Sequence, residues 1–359
     1  MRKFLIRVVG TVLFALCAAT FLPLLTFDTW WIRFLDFPRL QFLAGLLISL
    51  ALFVTLRRAQ PSRGTILTLA GIAAIGLQVA KLWPYQPLAS KMVASVLRCD
   101  ADDRLRVLVT NVQVSNRNDE SVLDMVRSQA PDVLVVLETS PWWDNALAPL
   151  DDQFDHIMRE QPESAYYGMQ IYSRHPFSQA NMTYPMGVDT PMFDGQIVHP
   201  TMPVHLLGVH PRPPHQTNGG QPSTMRDATI LHAAMRARET SAVSVIAGDF
   251  NLAPWEDTAQ RALRIGGLLD PRAGRGPMNS YMADSDLMRW PLDQVLWQAG
   301  PGLLDMTVLP SVGSDHHPVR VDLCLSPLVD ARTIPLQDGD LAAAQDTFDA
   351  ARAIASPAD

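Results

Sequence analysis

The sequence predicts an α/β sandwich, two packed β-sheets with helices outside, preceded by three transmembrane helices. Three observations predict it. Three long apolar runs crowd into the first 85 residues. From residue 104 onward, short apolar runs alternate with turn signals and amphipathic stretches. The charge splits at the same place: residues 1–96 carry ten Lys/Arg against two Asp/Glu, the remainder 19 against 34, and no Lys follows Lys91.

The apolar runs cover about 4–26, 40–56 and 65–82. Each is close to the roughly 20 residues a helix needs to cross a bilayer core. Arg7 can snorkel to the headgroups, and Trp30, Trp31, Trp83 and Tyr85 stand at run ends, where interfacial aromatics are favoured. The basic start and the small residues at 17–20 also fit a cleaved signal peptide, but two further spans favour an uncleaved helix. Orientation follows from Lys and Arg in the short loops. Arg2, Lys3 and Arg7 at the N-terminus, with Arg57, Arg58 and Arg63 in the second loop, mark the cytoplasmic side; the first loop has only Arg33 and Arg39, beside Asp28 and Asp36. Three crossings then put everything after Trp83 outside the cytoplasm. For a bacterium this means an inner-membrane protein with a periplasmic domain. The expected organisation is membrane helices at 1–83, a tether at 84–103, a catalytic domain at 104–328 and an acidic tail at 329–359, helical in part over 341–354.

Within the soluble part, 106–110 and 132–137 read as buried strands around an amphipathic helix at 121–130. Strands follow at 170–173, 203–209, 244–247, 294–297 and 319–325, with a helix at 227–239. Polar residues stand just past these strand ends. They are Asn111, Glu138, His210, Asp249 and Asn251, then Asp293 before the 294 strand, and Asp315 and His316 before the last strand. Singly, each is an ordinary turn residue or solvated side chain. As an ordered set they suit phosphoester cleavage, which needs charge neutralisation, an oriented water and a protonated leaving group. Hard oxygen donors such as Glu138 and Asp315 suit Mg²⁺ or Mn²⁺. No zinc spacing, Gly-rich phosphate loop or nucleophile elbow occurs.

The series Thr110-Asn111-Val112, Leu137-Glu138-Thr139, Val209-His210-Pro211, Gly248-Asp249-Phe250-Asn251, Leu292-Asp293 and Ser314-Asp315-His316-His317-Pro318 resembles the endonuclease/exonuclease/phosphatase family. The N-terminal helices and the phrase Val209-His210-Pro211-Arg212-Pro213-Pro214 look most like a membrane-bound bacterial branch. The resemblance spans about 104–326 and implies a DNase I-like four-layer sandwich that hydrolyses phosphoesters with a divalent metal. It implies Glu138 as the main metal ligand with Asn111 beside it, and Asp315 near this or a second metal. By the same resemblance Asp249 orients or deprotonates the attacking water, Asn251 and His210 hold phosphate oxygens, and His316 paired with Asp293 faces the scissile phosphate. Which of Asp249 and His316 is the base stays open. Gln294 departs from the His or Tyr common after the family's aspartate. Tyr167 is a weaker candidate for substrate contact, a buried aromatic being the alternative.

The implied partners are a phosphoester substrate, nucleic acid or phospholipid or small phosphoester, and a lipid bilayer; nothing points to a protein partner. The acidic domain and the bilayer tether favour a lipid headgroup or small phosphoester, the family resemblance favours nucleic acid, and nuclease versus phospholipid phosphodiesterase stays open. A catalytically silent sensor on the same fold is the rival reading, though every expected polar position is filled. Domain ends in this family lie near one another, which allows a Cys99–Cys324 disulfide in an oxidising compartment. The reading the sequence favours is plainer: a free thiol in the tether and a small buried hydrophobe in a strand.

Overall fold

The three apolar runs fold as α1 (Arg2–Phe21), α3 (Arg39–Arg57) and α4 (Thr65–Leu82), with a short α2 (Trp30–Phe34) between the first two. The computed structural model describes residues 1–57, 64–162, 166–187, 189–215 and 221–355. Arg58 and Arg63 of the loop charge count, and the 356–359 end of the tail, lie outside them. The chain divides into two units, one of Met1–Ala89 with Pro214–Ser223 and one of Ser90–Pro213 with Thr224–Asp359.

In the first unit the helices meet through Leu13, Cys17, Leu46, Phe53 and Ala74. Phe14, Ile48, Ile66 and Leu69 point outward and are exposed, as on helices whose surroundings are apolar. The stretches Arg2–Leu24, Arg39–Arg57 and Thr65–Tyr85 are long and apolar enough to cross a membrane. A buried polar clasp joins the helices at one end: Arg39 pairs with Asp36 and donates to Gln78 Oε1 at 3.2 Å, and Gln78 donates to Thr20 Oγ1 at 3.0 Å.

The second unit holds two six-stranded sheets. The strands of the first are β1 (Arg104–Asn111), β2 (Val133–Thr139), β3 (His156–Glu160), β4 (Gly168–Ser173), β11 (Gly300–Val308) and β12 (Val319–Val329), in the order β11-β12-β1-β2-β4-β3. The second comprises β5 (Phe177–Thr183), β6 (Met192–Val198), β7 (Pro203–Val209), β8 (Val243–Asp249), β9 (Leu268–Leu269) and β10 (Asp293–Gln298), ordered β5-β6-β7-β8-β10-β9. At the centre of each lies a parallel pair, β1 with β2 and β7 with β8. Such strands are covered on both faces and read as continuous Val/Ile/Leu runs. Their inner faces pack together through Val107, Val135 and Ile171 from one sheet and Leu206, Val245 and Trp297 from the other. Helices α5 (Asp119–Gln129) and α6 (Pro141–Ala146) cover the outer face of the first sheet through Val122, Val126 and Trp143. Across the molecule, α7 (Thr224–Glu239) and α8 (Asp257–Gly266) cover the second. The result is the expected four-layer sandwich.

Segment 329–359, expected as an acidic tail with a helix over 341–354, carries α9 (Asp340–Ala355), whose Ala344, Phe348 and Ala351 are buried in the core shared with α7 and α8. The reading of two free thiols is overturned. Cys99 and Cys324 form a disulfide with Cα atoms 5.8 Å apart. The chain enters β1 antiparallel to β12, with Arg104 opposite Cys324, and this brings the preceding residues beside the last strand.

Candidate active site

Because both sheets carry parallel central pairs, the C-terminal ends of β1, β2, β7 and β8 open at one end of the sandwich. Val109 opposite Val319 and Asp249 opposite Asp293 bring the starts of β12 and β10 to the same end. The polar residues that follow each apolar run therefore converge.

Local backbone aims them. Leu137 pairs with Met169 and Thr139 with Gly168, so Glu138 is the extra residue of a bulge, at φ 58. Bulges re-aim a side chain in this way. Asn251 stands at φ 49, and its N–H donates to Asp249 Oδ1 at 2.9 Å. Gly248 precedes them at φ 153, where a Cβ would lie 1.9 Å from the Val209 carbonyl oxygen. Only glycine lets β8 approach β7 this closely.

Asn111 sits at the centre. Its Nδ2 donates to Glu138 Oε1 at 2.9 Å and to Asp249 Oδ2 at 3.2 Å, while its Oδ1 accepts from Gln113 N at 3.0 Å. It thus separates two carboxylates and turns its nitrogen, not its oxygen, toward them. Glu138 also accepts from Val114 N at 3.2 Å. Burial raises the Glu138 carboxyl above the usual range, a rise that Asn111 opposes and the nearby Asp249 adds to. Burial likewise raises Asp315, whose Oδ1 accepts from Ser314 Oγ at 3.4 Å.

The two imidazoles take opposite charge states. His316 Nδ1 lies 2.7 Å from Asp293 Oδ2, and its Nε2 lies 3.6 Å from Asp249 Oδ2. Burial disfavours the imidazolium, but Asp293 and Asp249 outweigh it and push the pKa up to about 10. His210 is also buried, 3.8 Å from Asp249 Oδ2 and 4.0 Å from Glu138 Oε1. Desolvation dominates there and holds it down at about 4, so it is a neutral ring at pH 7. His317 turns away: its Nδ1 faces the Leu309 carbonyl at 2.9 Å. Asn251 Nδ2 donates to the Pro211 carbonyl at 3.0 Å, which ties it to the residue after His210.

The buried carboxyls of Glu138 and Asp315, both raised by desolvation and both beside the Asp249 carboxylate, make a hard-oxygen set that fits a divalent metal. By distance alone, the metal-competent group among the described residues is Asp249, Asp293 and His316, whose ligand atoms lie within 4.8 Å of one another. This differs from the Glu138, Asn111 and Asp315 set expected from the sequence. In it, however, His316 Nδ1 is already engaged by Asp293.

Tyr167 is half-buried rather than buried; its ring lies 5.5 Å from that of His210, and the Arg212 guanidinium stands 5.8 Å from its centroid. Tyr281 was not singled out from the sequence. Its ring lies 4.7 Å from that of His316, and burial and the surrounding carboxylates push its phenol up to about 12. It falls in the irregular stretch between α8 and β10, which offers no periodicity to place it.

The Endonuclease/Exonuclease/phosphatase family model matches residues 108–316. No curated protein matches the sequence. Among solved structures, humanised D. rerio TDP2 superposes with a TM-score of 0.51 at 14% identity, covering 62% of this chain and 99% of its own. D. rerio TDP2 complexed with single-strand DNA product gives 0.51 at 14% identity, covering 61% and 98%. An endonuclease/exonuclease/phosphatase from Beutenbergia cavernae gives 0.50 at 18% identity, covering 67% and 76%. At these identities the likeness is one of fold.

Proposed function

The chain belongs to the endonuclease/exonuclease/phosphatase family, and from that premise we propose that it is a divalent-metal-dependent phosphoesterase held at a lipid bilayer by its N-terminal helices. One observation carries the reading: Asn111, Glu138, Asp249, Asp293, His210 and His316 come from separate strand ends, yet each lies within 4.0 Å of another member of the set.

Glu138 and Asp315 would hold Mg²⁺ or Mn²⁺, with Asn111 between Glu138 and Asp249. When bound, the cation supplies charge neutralisation at the nonbridging phosphate oxygens. The protein's own groups do the rest. Asp249, held by N–H donors from Asn111 and Asn251, accepts the proton of the attacking water. His316, whose pKa Asp293 and Asp249 raise, faces the phosphate as an imidazolium oriented by Asp293, which leaves the role of base to Asp249. His210, neutral, donates one N–H to a phosphate oxygen, and Asn251 holds another.

The substrate class follows from charge. The domain is acidic, and Arg212, the guanidinium over Tyr167, is paired with Asp189. A lipid headgroup or small phosphodiester therefore fits better than a nucleic-acid backbone. We place the domain outside the cytoplasm. The loop charges support this, and so does the Cys99–Cys324 bond, which persists in oxidising compartments. The test is a screen of the purified protein with Mg²⁺ against plasmid DNA, RNA, sphingomyelin, phosphoinositides and bis-p-nitrophenyl phosphate. Hydrolysis that EDTA abolishes is expected. Full activity in chelator, or none on any substrate, overturns the reading.

A further inference from the structure

Two guanidiniums are sealed in the core beside the turn that carries Asp249 and Asn251. Arg226 is 0% exposed and Arg272 is 1% exposed. Arg226 donates to Glu256 Oε2 at 2.8 Å and Asp227 Oδ1 at 2.9 Å, and through Nη1 to the carbonyl oxygen of Asn251 at 2.9 Å. Arg272 grips Asp270 with two bonds of 2.8 and 2.7 Å and donates to Gln294 Oε1 at 2.7 Å. Gln294, also buried, passes the hold on: its Nε2 donates to the carbonyl oxygen of Leu252 at 2.6 Å. Two consecutive carbonyls, 251 and 252, are thus each held by a donor that is, or is backed by, a buried cation. Glu256 closes the far side by accepting from Ala253 N at 2.7 Å.

The fold alone does not call for this. Buried ion pairs can often be replaced by apolar side chains of similar volume at no loss of stability. Apolar side chains cannot supply donors aimed at the carbonyls of 251 and 252. The held segment is also the one with unusual backbone. Asn251 sits in the left-handed region, which persists where surroundings over-determine it.

We propose that Arg226, Arg272 and Gln294 are positioning residues, fixing the 249–252 turn so that Asp249 and Asn251 face the reacting phosphate. They touch no substrate and act through that turn. The proposal rests on the roles given above to Asp249 and Asn251. It also gives a purpose to Gln294, the position where the sequence departs from the family pattern.

The variant that separates positioning from folding is Gln294→Glu. Its carboxylate still accepts from Arg272 but has no proton for Leu252. The unfolding temperature should stay near that of wild type while kcat on bis-p-nitrophenyl phosphate falls ~10- to 100-fold, the scale of a small misplacement. In an Asn251→Gly background, which suits the positive φ, the same change should cost clearly less than it does in the wild type, because one of the two side chains it positions is already gone. Hydrogen exchange over the peptide 249–256 should quicken in Gln294→Glu. If that variant does not fold, Arg226→Lys replaces it, keeping the charge beside Glu256 but not the reach to Asn251. Losses that multiply in the double variant, or unchanged exchange, overturn the proposal. A wild-type protein inactive on every substrate would sink the phosphoesterase reading, and the exchange measurement alone then decides the positioning one.

Discussion

His316 and His317 are adjacent and chemically identical, yet their surroundings separate them. The first is locked between Asp293 and Asp249; the second faces a backbone carbonyl. His316→Ala should lower kcat by ~10²-fold or more, as for a lost acid–base group, and His317→Ala should cost little. Steady-state kinetics of the two variants checks this, and equal losses would mean the register is wrong. The pKa raised to about 10 gives a second expectation. A histidine whose folded pKa exceeds its unfolded value, about 6.5, stabilises the fold fully below that value. The contribution is lost as pH rises through about 10. Melting temperatures of the EDTA-treated protein should therefore fall on the alkaline side, and His316→Ala should flatten that fall. Glu138→Ala should weaken Mg²⁺ binding, read directly by calorimetry. These side chains were legible in the sequence because each stands at the boundary of an apolar run, Glu138 just after one and His316 just before another. Tyr281 and the buried arginines were not, since a side chain's burial by distant segments leaves no local pattern.

At the scale of elements, the central strands were legible and the outer ones were not. β1, β2, β7 and β8 are buried on both faces and read as apolar runs. The edge and near-edge strands β3, β5 and β6 are half-exposed and carry Arg159, Gln179, Asn181, Asp194 and Gln196, which is what a solvated edge requires and what hides it from a hydrophobicity pattern. β11 was masked by Gly300, Pro301 and Gly302. The last helix, α9, shows how a segment acidic in composition still docks. Asp340 at its start accepts two bonds from Arg264, at 2.8 and 2.7 Å. Those bonds hold the Asp340 carboxyl at about 2. A depressed carboxylate stabilises above its ordinary value, and the contribution is lost as pH falls through about 2. Asp340→Asn should speed hydrogen exchange in 340–355 at neutral pH and lower the melting temperature by a few degrees, the response expected of roughly 1 kcal/mol in a domain this size. Exchange unchanged in that peptide would show that Phe348 and its apolar neighbours alone hold the helix.

For the whole molecule, orientation is the quantity to measure. An alkaline phosphatase fused to the C-terminus should be active, and a Sec-exported fluorescent protein in its place should be dark. The reverse result would put the catalytic domain in the cytoplasm. The disulfide bears on the same question from another side. It spans 225 residues of sequence, and closing so long a loop stabilises by roughly 5 kcal/mol in the chain-entropy model. It also changes what a protease can accomplish. Cys99 lies just before β1, and Cys324 lies in β12, near the end of the chain. A single cut anywhere between them leaves both fragments joined, so the severed C-terminal piece stays bonded to the segment that leads back to the helices. Shedding the domain from a bilayer would need a cut ahead of Cys99, or a cut together with a reductant. Limited digestion of vesicles with a glutamate-specific protease, for which residues 1–99 offer no site while Glu120, Glu160 and Glu239 lie between the two cysteines, should accordingly leave the nicked chain sedimenting with the lipid, at full mass on a non-reducing gel. Dithiothreitol should resolve it into two fragments.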